Sequence, residues 1–327
     1  MLHKPYILVV RQLGGIGDVL MMSCLYRGLR ETYPKHTIKL VAPSIYLGGA
    51  LIDVAEHNPF IDEIHIIEPY DCTTQHTKEV WAKYFENAPN IENELIWKMA
   101  DKAFDMNTPC VDFEWNTNSI DKPRYQVWCD AANIVPSSYA PVYKIRPDEL
   151  AEAKGYAAEH WEGKKVVGVG LAAADKKRAL GLGKLEDICH MLQQAGVHPV
   201  TIDPTCKIDG VDYLINKRIR ELMPLMHCMD TVISVDSGLL HMAGTVGTPV
   251  IGVFGPTDYR MRMGNYLGSA IDSRQLMPCT PCWYGYPCTK DDGRHGIKPY
   301  ECLNKIQPEV VVEETLRWVL DSRKVDH

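Results

Sequence analysis

Short apolar runs recur along the chain, each closed by a glycine or polar turn and followed by residues with apolar positions at helical spacing. This strand, turn and helix rhythm predicts an α/β protein. Tyr6 to Val10 reads as the first strand, the loop Gly14-Gly15-Ile16-Gly17-Asp18 follows, and a helix is expected from about Val19 to Tyr33. Ile38 to Val41 and Ile64 to Ile67 read as further strands, with a helix near Leu47 to Asn58 between them. Residues 70 to 120 are less regular and carry Trp81, Tyr84, Phe85, Trp97, Phe104 and Trp115 among polar residues. That pattern fits helices and long loops over one sheet edge. The aromatic residues either pack a small subdomain or line a wall for an acceptor. Beyond them, Pro123 to Ile134 reads as a helix, Pro136 to Pro147 as an extended crossing segment and Asp148 to His160 as a helix. Lys165 to Leu171 restarts the rhythm with a strand. A helix over Leu185 to Gln194, closed by Gly196, a strand at Val200 to Ile202 and a short helix at Ile219 to Met226 continue it. Glu309 to Leu320 is a terminal helix with Val310, Val311, Leu316 and Val319 available for packing.

Residues 232 to 258 hold the most compact version of the pattern. Val232, Ile233 and Val235 form a buried-strand run that Asp236-Ser237-Gly238 breaks. Leu239 to Val246 can carry an apolar helical face, Gly247-Thr248-Pro249 ends it, and Val250 to Phe254 is the next strand. The unit is βαβ, and its first strand delivers Asp236, Ser237 and Gly238 to a helix N-terminus. Unpaired N–H groups and the helix dipole there attract phosphate. The plainer reading is a βα turn capped by Asp or Ser. His241, three residues after Gly238, can face the same ligand as the capping groups.

Length turns this pattern into two domains: 327 residues exceed the usual ceiling for one core, and a boundary is expected near residues 155 and 156. The hydrophobic content of 46% and charged content of 24% are those of a folded protein with its own cores. A net charge of −7 argues against broad capture of nucleic acid or of an anionic membrane. No apolar run approaches the roughly 18 residues needed to span a bilayer, and MLHKPYILVVRQ lacks a signal-peptide layout. A cytoplasmic protein is expected, with its eleven cysteines reduced or bound to metal.

Two segments, RQLGGIGDVLMMSCLYRGLRETYP at 11 to 34 and VDSGLLHMAGTVGTPVIGVFGPTD at 235 to 258, resemble the family 9 glycosyltransferases. That group includes the ADP-heptose:lipopolysaccharide heptosyltransferases. The resemblance implies a GT-B fold, with two Rossmann-like domains whose parallel sheets face a central cleft, the acceptor on the N-terminal side and the nucleotide-sugar on the C-terminal side. It places the catalytic aspartate on Asp18, where a carboxylate would take the proton of an attacking acceptor hydroxyl. A helix-capping role is the alternative for this residue. Gly17 lets the backbone approach a ligand. Asp236, Ser237, Gly238 and His241 match the donor motif and would hold the diphosphate and sugar, the backbone amides stabilising the leaving diphosphate without a divalent cation. A basic residue usual in the family has candidates in Lys176, Lys177 and Arg178, with Lys177 or Arg178 preferred, although Ala179-Leu180-Gly181 replaces the tryptophan-proline pair that commonly follows. Asp203 is the nearest match to an acidic residue that contacts the nucleoside.

Cys279, Cys282, Cys288 and Cys302 fall within 24 residues, while the other seven cysteines are scattered. Four thiolates at this spacing, within a knuckle over 277 to 303, suit structural zinc or iron. Packing thiols or a redox pair are the alternatives. The cluster resembles the four-cysteine iron finger of autotransporter heptosyltransferases. Four protein ligands would leave no open position for catalysis. The activity that the resemblance implies is inverting transfer of a heptose or related sugar from an ADP-sugar-like donor to a hydroxyl of a lipopolysaccharide core or of a protein serine or threonine. A modified nucleic-acid base as acceptor, a sugar-nucleotide-binding protein without turnover, and a scaffold within a homo-oligomer are the alternatives.

Overall fold

The computed structural model describes residues 5–12, 15–43, 50–67, 91–117, 120–173, 175–202, 207–214, 217–277, 279–282 and 301–320. The chain divides into two compact units, one of residues 1–117 and 124–144, the other of residues 118–123 and 145–327. Among the described residues no helix is long and apolar enough to cross a membrane.

In the first unit, strands β1 (Tyr6–Val10), β2 (Thr37–Pro43), β3 (Glu63–Ile67) and β4 (Lys102–Asp105) form a parallel sheet in the order β3-β2-β1-β4. All five residues of β1 are buried, as expected of a central strand covered on both faces. Helix α1 (Ile16–Thr32) follows it, α2 (Ala50–Ala55) links β2 to β3, and α3 (Pro109–Thr117) and α4 (Arg124–Ala131) follow β4. Two details differ from the sequence expectation. Helix α1 begins at Ile16, three residues before Val19, because Gly15 takes the extended N-cap conformation and Asp18 becomes the third helical residue. A strand also lies within 70 to 120: β4 pairs with β1 although only Ala103 and Phe104 of its four residues are even partly buried, so alternation gave no signal. Trp81, Tyr84 and Phe85 lie outside the described residues, while Trp97 packs against the core around Tyr6, Leu8 and Val41.

The segment after α4 is bound to α1 along its length. Val142 N–H donates to Ser23 Oγ at 2.6 Å and Arg27 donates to the Ser138 and Ala140 carbonyls. This explains why the first unit extends to Lys144. Helix α5 (Pro147–Trp161) belongs to the second unit, so the expected boundary at 155 falls inside a helix. Glu149 of α5 accepts a two-pronged bond from Arg220 of α7 (Ile219–His227), at 2.8 and 2.6 Å. Arg146 N–H also donates to that carboxylate. Burial opposes its charge, but these donors hold the carboxyl below its usual range.

The second unit has six parallel strands in the order β10-β9-β8-β5-β6-β7: β5 (Val166–Gly170), β6 (His198–Thr201), β7 (Asp212–Tyr213), β8 (Thr231–Val235), β9 (Val250–Phe254) and β10 (Gly268–Asp272). β5, β8 and β9 are buried throughout. Helices α6 (Leu182–Gln194), α7, α8 (Gly238–Thr245) and α9 (Pro308–Leu320) complete it, with Ile188, Leu192, Val311 and Val319 packed on Val167, Val169, Ile233 and Ile251. Sequence pattern anticipates the long elements but not β7 or β10, one two residues long and the other only half-buried.

Within α1, Gly28 lies so close to the returning segment that a Cβ would stand 2.4 Å from Ile134 Cγ2 and 3.3 Å from the Pro136 backbone. Gly28→Ala is therefore expected to destabilise the first unit by roughly 1–3 kcal/mol despite alanine's better helix propensity. Urea unfolding followed by tryptophan fluorescence measures the loss.

Candidate active site

Each sheet reverses its strand order once. In the second unit β5 leads to β6 on one side, and the chain later returns to place β8 on the other. Connections leave these neighbours in opposite directions, so a crevice opens at their carboxyl ends. Residues following both strands meet there. After β5, Asp175 accepts the Lys177 N–H and closes a 3-10 turn over Lys176–Arg178. The turn carries Arg178 across to β8, where Nη1 donates to the Asp236 carbonyl at 2.6 Å and approaches Oδ2 at 3.5 Å. Lys177 Nζ instead lies 3.3 Å from Asp175. Of the two preferred basic candidates, Arg178 is thus the one joined to the donor motif.

Asp236 is almost wholly buried between two guanidiniums. Arg262 Nε, from the one-turn helix Arg260–Met263, lies 3.6 Å from its Oδ2, and His241 Nε2 lies 3.9 Å from Oδ1. Burial opposes the charged form, but Arg178, Arg262 and His241 together outweigh it and hold the carboxyl at about 2. The carboxylate is ionised under ordinary conditions and is shared by the two guanidiniums. The two guanidiniums stand beside the N-terminus of α8, whose first-turn N–H groups have no partners within the helix. Ser237 is the extended N-cap, its hydroxyl 3.1 Å from that of Ser234, and Gly238 is the first helical residue. His241 is buried on α8 with Nδ1 hydrogen-bonded to the Tyr266 hydroxyl at 2.8 Å. Tyr266 reaches it by lying over Gly244, where a Cβ would be 2.4 Å from the ring. Tyrosine thereby fixes the imidazole orientation and leaves Nε2 toward Asp236.

In the first unit the reversal falls between β1 and β4, and Asp18 stands beyond the end of β1. Its Oδ2 accepts the Gly15 N–H at 3.3 Å, the capping contact, and its Oδ1 accepts from Arg124 Nη1 at 2.6 Å. Arg124, the first residue of α4, also grips Glu114 of α3 through Nε and Nη2 at 2.7 and 2.6 Å. Gly17 is buried in the first turn of α1.

The sequence reading missed Arg262, Tyr266, Arg124 and Glu114. Each joins its partner across 10 to 106 residues, and none stands at a fixed motif spacing. Asp203 and Cys288 lie outside the described residues. Cys282 N–H donates to the Pro256 carbonyl at 2.8 Å, and a Cβ on Gly255 would meet Leu303 Cγ at 2.7 Å and Cys302 Sγ at 2.9 Å. These two cysteines thus meet the turn that follows β9. Among the described residues no group of three or more His, Cys, Asp or Glu side chains is arranged to hold a metal.

The sequence profile of glycosyltransferase family 9 (heptosyltransferase) matches residues 201–284, a stretch containing Asp236, Ser237, Gly238, His241, Arg262 and Tyr266. Residues 201–284 are thus similar in sequence to the family 9 glycosyltransferases. The chemistry of that family is glycosyl transfer, the enzyme class expected from sequence. No curated protein sequence matches the chain. Among solved structures, the family 9 glycosyl transferase of Veillonella parvula DSM 2008 is similar over 97% of this chain and 98% of its own, at 14% identity and a TM-score of 0.68. The E. coli ADP-heptose lipopolysaccharide heptosyltransferase II covers 97% of this chain and 99% of its own, at 14% identity and a TM-score of 0.63. TibC, an iron-containing dodecameric glycosyltransferase of enterotoxigenic E. coli H10407, covers 96% of this chain and 76% of its own, at 14% identity and a TM-score of 0.65. At this identity the likeness is one of fold, and it bears out the GT-B class, with two Rossmann-like units built on parallel sheets.

The charge arrangement around Asp236 gives a pH-dependent prediction. Its folded-state value lies below the ordinary 3.8, so the unfolded chain binds the proton more tightly. The stabilisation is complete above about pH 4 and is lost as pH falls toward 2; a shift of this size amounts to about 2 kcal/mol. Asp236→Asn, which takes the shared carboxylate from Arg178 and Arg262, is expected to lower the unfolding free energy at pH 7 by about that amount. In urea titrations the gap between parent and variant should narrow as pH is taken from 5 to 2.5.

Proposed function

We propose that this chain is an inverting glycosyltransferase that moves a heptose or related sugar from an ADP-sugar-like donor to an acceptor hydroxyl. The observation that supports this most is the gathering of two guanidiniums, Arg178 and Arg262, on Asp236 beside the N-terminus of α8. A diphosphate suits such a place. In this reading Asp236 does not touch phosphate, which would repel it, but keeps the two arginines aimed. Arg178 and the amides near Ser237 and Gly238 receive the leaving diphosphate, and His241, oriented by Tyr266, supplies a further hydrogen bond. Stabilising charge as it develops on the leaving group lowers the barrier without a divalent cation. Asp18 takes the proton of the acceptor hydroxyl as that oxygen attacks the anomeric carbon from the face opposite the diphosphate, inverting the centre.

The acceptor is a hydroxyl of a lipopolysaccharide core or of a protein serine or threonine, and we place the enzyme in the cytoplasm, where its thiols stay reduced. A structural zinc or iron on Cys279, Cys282, Cys288 and Cys302 belongs to the same reading. The soft thiolate set suits either metal, and the convergence of Cys282 and Cys302 on the Gly255–Pro256 turn supports a bracing role for it. Iron content of the purified TibC-like fold is a property of that relative, so the metal here is tested by itself. Elemental analysis is expected to find about one zinc or iron per chain, falling in Cys279→Ser.

Asp18→Asn is expected to lower sugar transfer from ADP-heptose by at least about a hundredfold while leaving ADP affinity within about twofold. Transfer and calorimetric titration measure the two effects. Retained transfer removes Asp18 from the mechanism, and failure of every nucleotide-sugar in a thermal-shift panel to stabilise the protein removes the donor assignment. Binding of the donor without turnover in any acceptor mixture would favour a sugar-nucleotide-binding protein instead.

A further inference from the structure

Glu114 is a completely buried carboxylate that the proposed chemistry does not use. Burying a carboxylate costs several kcal/mol unless it is paired and hydrogen-bonded. Both its oxygens are met by Arg124, through Nε at 2.7 Å and Nη2 at 2.6 Å, the parallel fork that guanidinium geometry favours. The third nitrogen, Nη1, is thereby directed to Asp18 Oδ1 at 2.6 Å. Capping of α1 does not require this arrangement, because the Gly15 N–H is already satisfied by the other oxygen, Oδ2.

We propose that Arg124 and Glu114 are positioning residues for the base: Arg124 fixes the direction of the Asp18 carboxylate, and Glu114 neutralises Arg124 so that Asp18 keeps its basicity. The inference rests on the reading of Asp18 as the proton acceptor. A lone guanidinium at 2.6 Å would depress the proton affinity of a carboxylate by about 1–3 units and weaken it as a base. With Glu114 behind the guanidinium, the three groups carry a net charge of −1, and the carboxylate is held without being fully neutralised. Two other groups lie close to this cluster, a thiol and the cation of Arg11. Cys110 of α3 faces it, its Sγ 3.6 Å from the Arg124 carbonyl, and burial pushes its thiol up so that it stays neutral. Arg11, at the end of β1, directs its guanidinium to the Met106 and Asn107 carbonyls.

The test is a pH titration of the Asp18 carboxyl by carbon NMR in the full-length protein and in Arg124→Gln, Arg124→Lys and Glu114→Gln, alongside kcat for sugar transfer from ADP-heptose and ADP affinity. Arg124→Gln is expected to raise the Asp18 midpoint by about 1–3 units and Glu114→Gln to lower it by about one. Both should reduce kcat at least about tenfold with ADP affinity within twofold, and Arg124→Lys should recover part of the midpoint shift. Midpoints that do not move in any folded variant overturn the proposal, as does a loss confined to melting temperature or ADP affinity. NMR reads the carboxyl even without turnover, and Arg124→Lys preserves the charge if Glu114→Gln does not fold. If Asp18→Asn transfers sugar normally, the base reading itself has failed; if it abolishes transfer while the Arg124 midpoints stay put, only the positioning role has.

Discussion

An open parallel sheet covered by helices on both faces sends two neighbouring strands' connections in opposite directions where its strand order reverses. That topological constraint governs this molecule twice. At β5 and β8 it brings the turn bearing Arg178 against the turn bearing Asp236, so that the guanidinium donates to the Asp236 carbonyl. At β1 and β4 it does the same for the loop before α1 and the helices that follow β4. Backbone topology creates the places, and the chemistry of each depends on which charged residues the sequence puts there.

The two places are built from the same groups in inverse proportion. In the second unit one carboxylate lies between two guanidiniums, and in the first one guanidinium lies between two carboxylates. The first arrangement gathers cations and suits an anion; the second gathers carboxylates and suits a proton acceptor. Buried ion pairs in isolation add little net stability. Their value here is that each charged group is fixed in place by partners that are themselves held by helices and strands. His241 is treated similarly, its orientation set by Tyr266 rather than by any ligand.

Much of this was legible in the sequence, for identifiable reasons. Central strands such as β1, β8 and β9 are buried on both faces and therefore appear as unbroken apolar runs, and Asp236, Ser237 and Gly238 interrupt one at the point where the chain turns. Edge strands carry no such mark. β4 has polar ends and only partly buried central residues, and without it the order reversal of the first sheet cannot be foreseen. The same holds for Arg124 and Glu114, which meet Asp18 only because β4 sets α3 and α4 beside α1. Arg178 was one of three adjacent basic residues, and the distinction between it and Lys177 came from a local cap, Asp175, that keeps the Lys177 amine beside its own carboxylate and sends the next side chain to Asp236. Arg262 had a weaker cue, the alternation of Arg260 and Arg262 just after the Gly255-Pro256-Thr257-Asp258 turn.

Arg178 and Asp236 are separated by 58 residues and belong to connections that become neighbours only when β8 docks on β5. The anion-attracting charge is consequently a property of the completed sheet: a partly folded chain in which β5 and β6 have paired, but β8 has not arrived, has the arginine without the site. A ligand for this crevice meets almost no competing affinity in the unfolded ensemble, so nearly all of its binding free energy acts on the native state. In the cell, the supply of such a ligand would set how long the finished second unit persists, as well as how often it turns over.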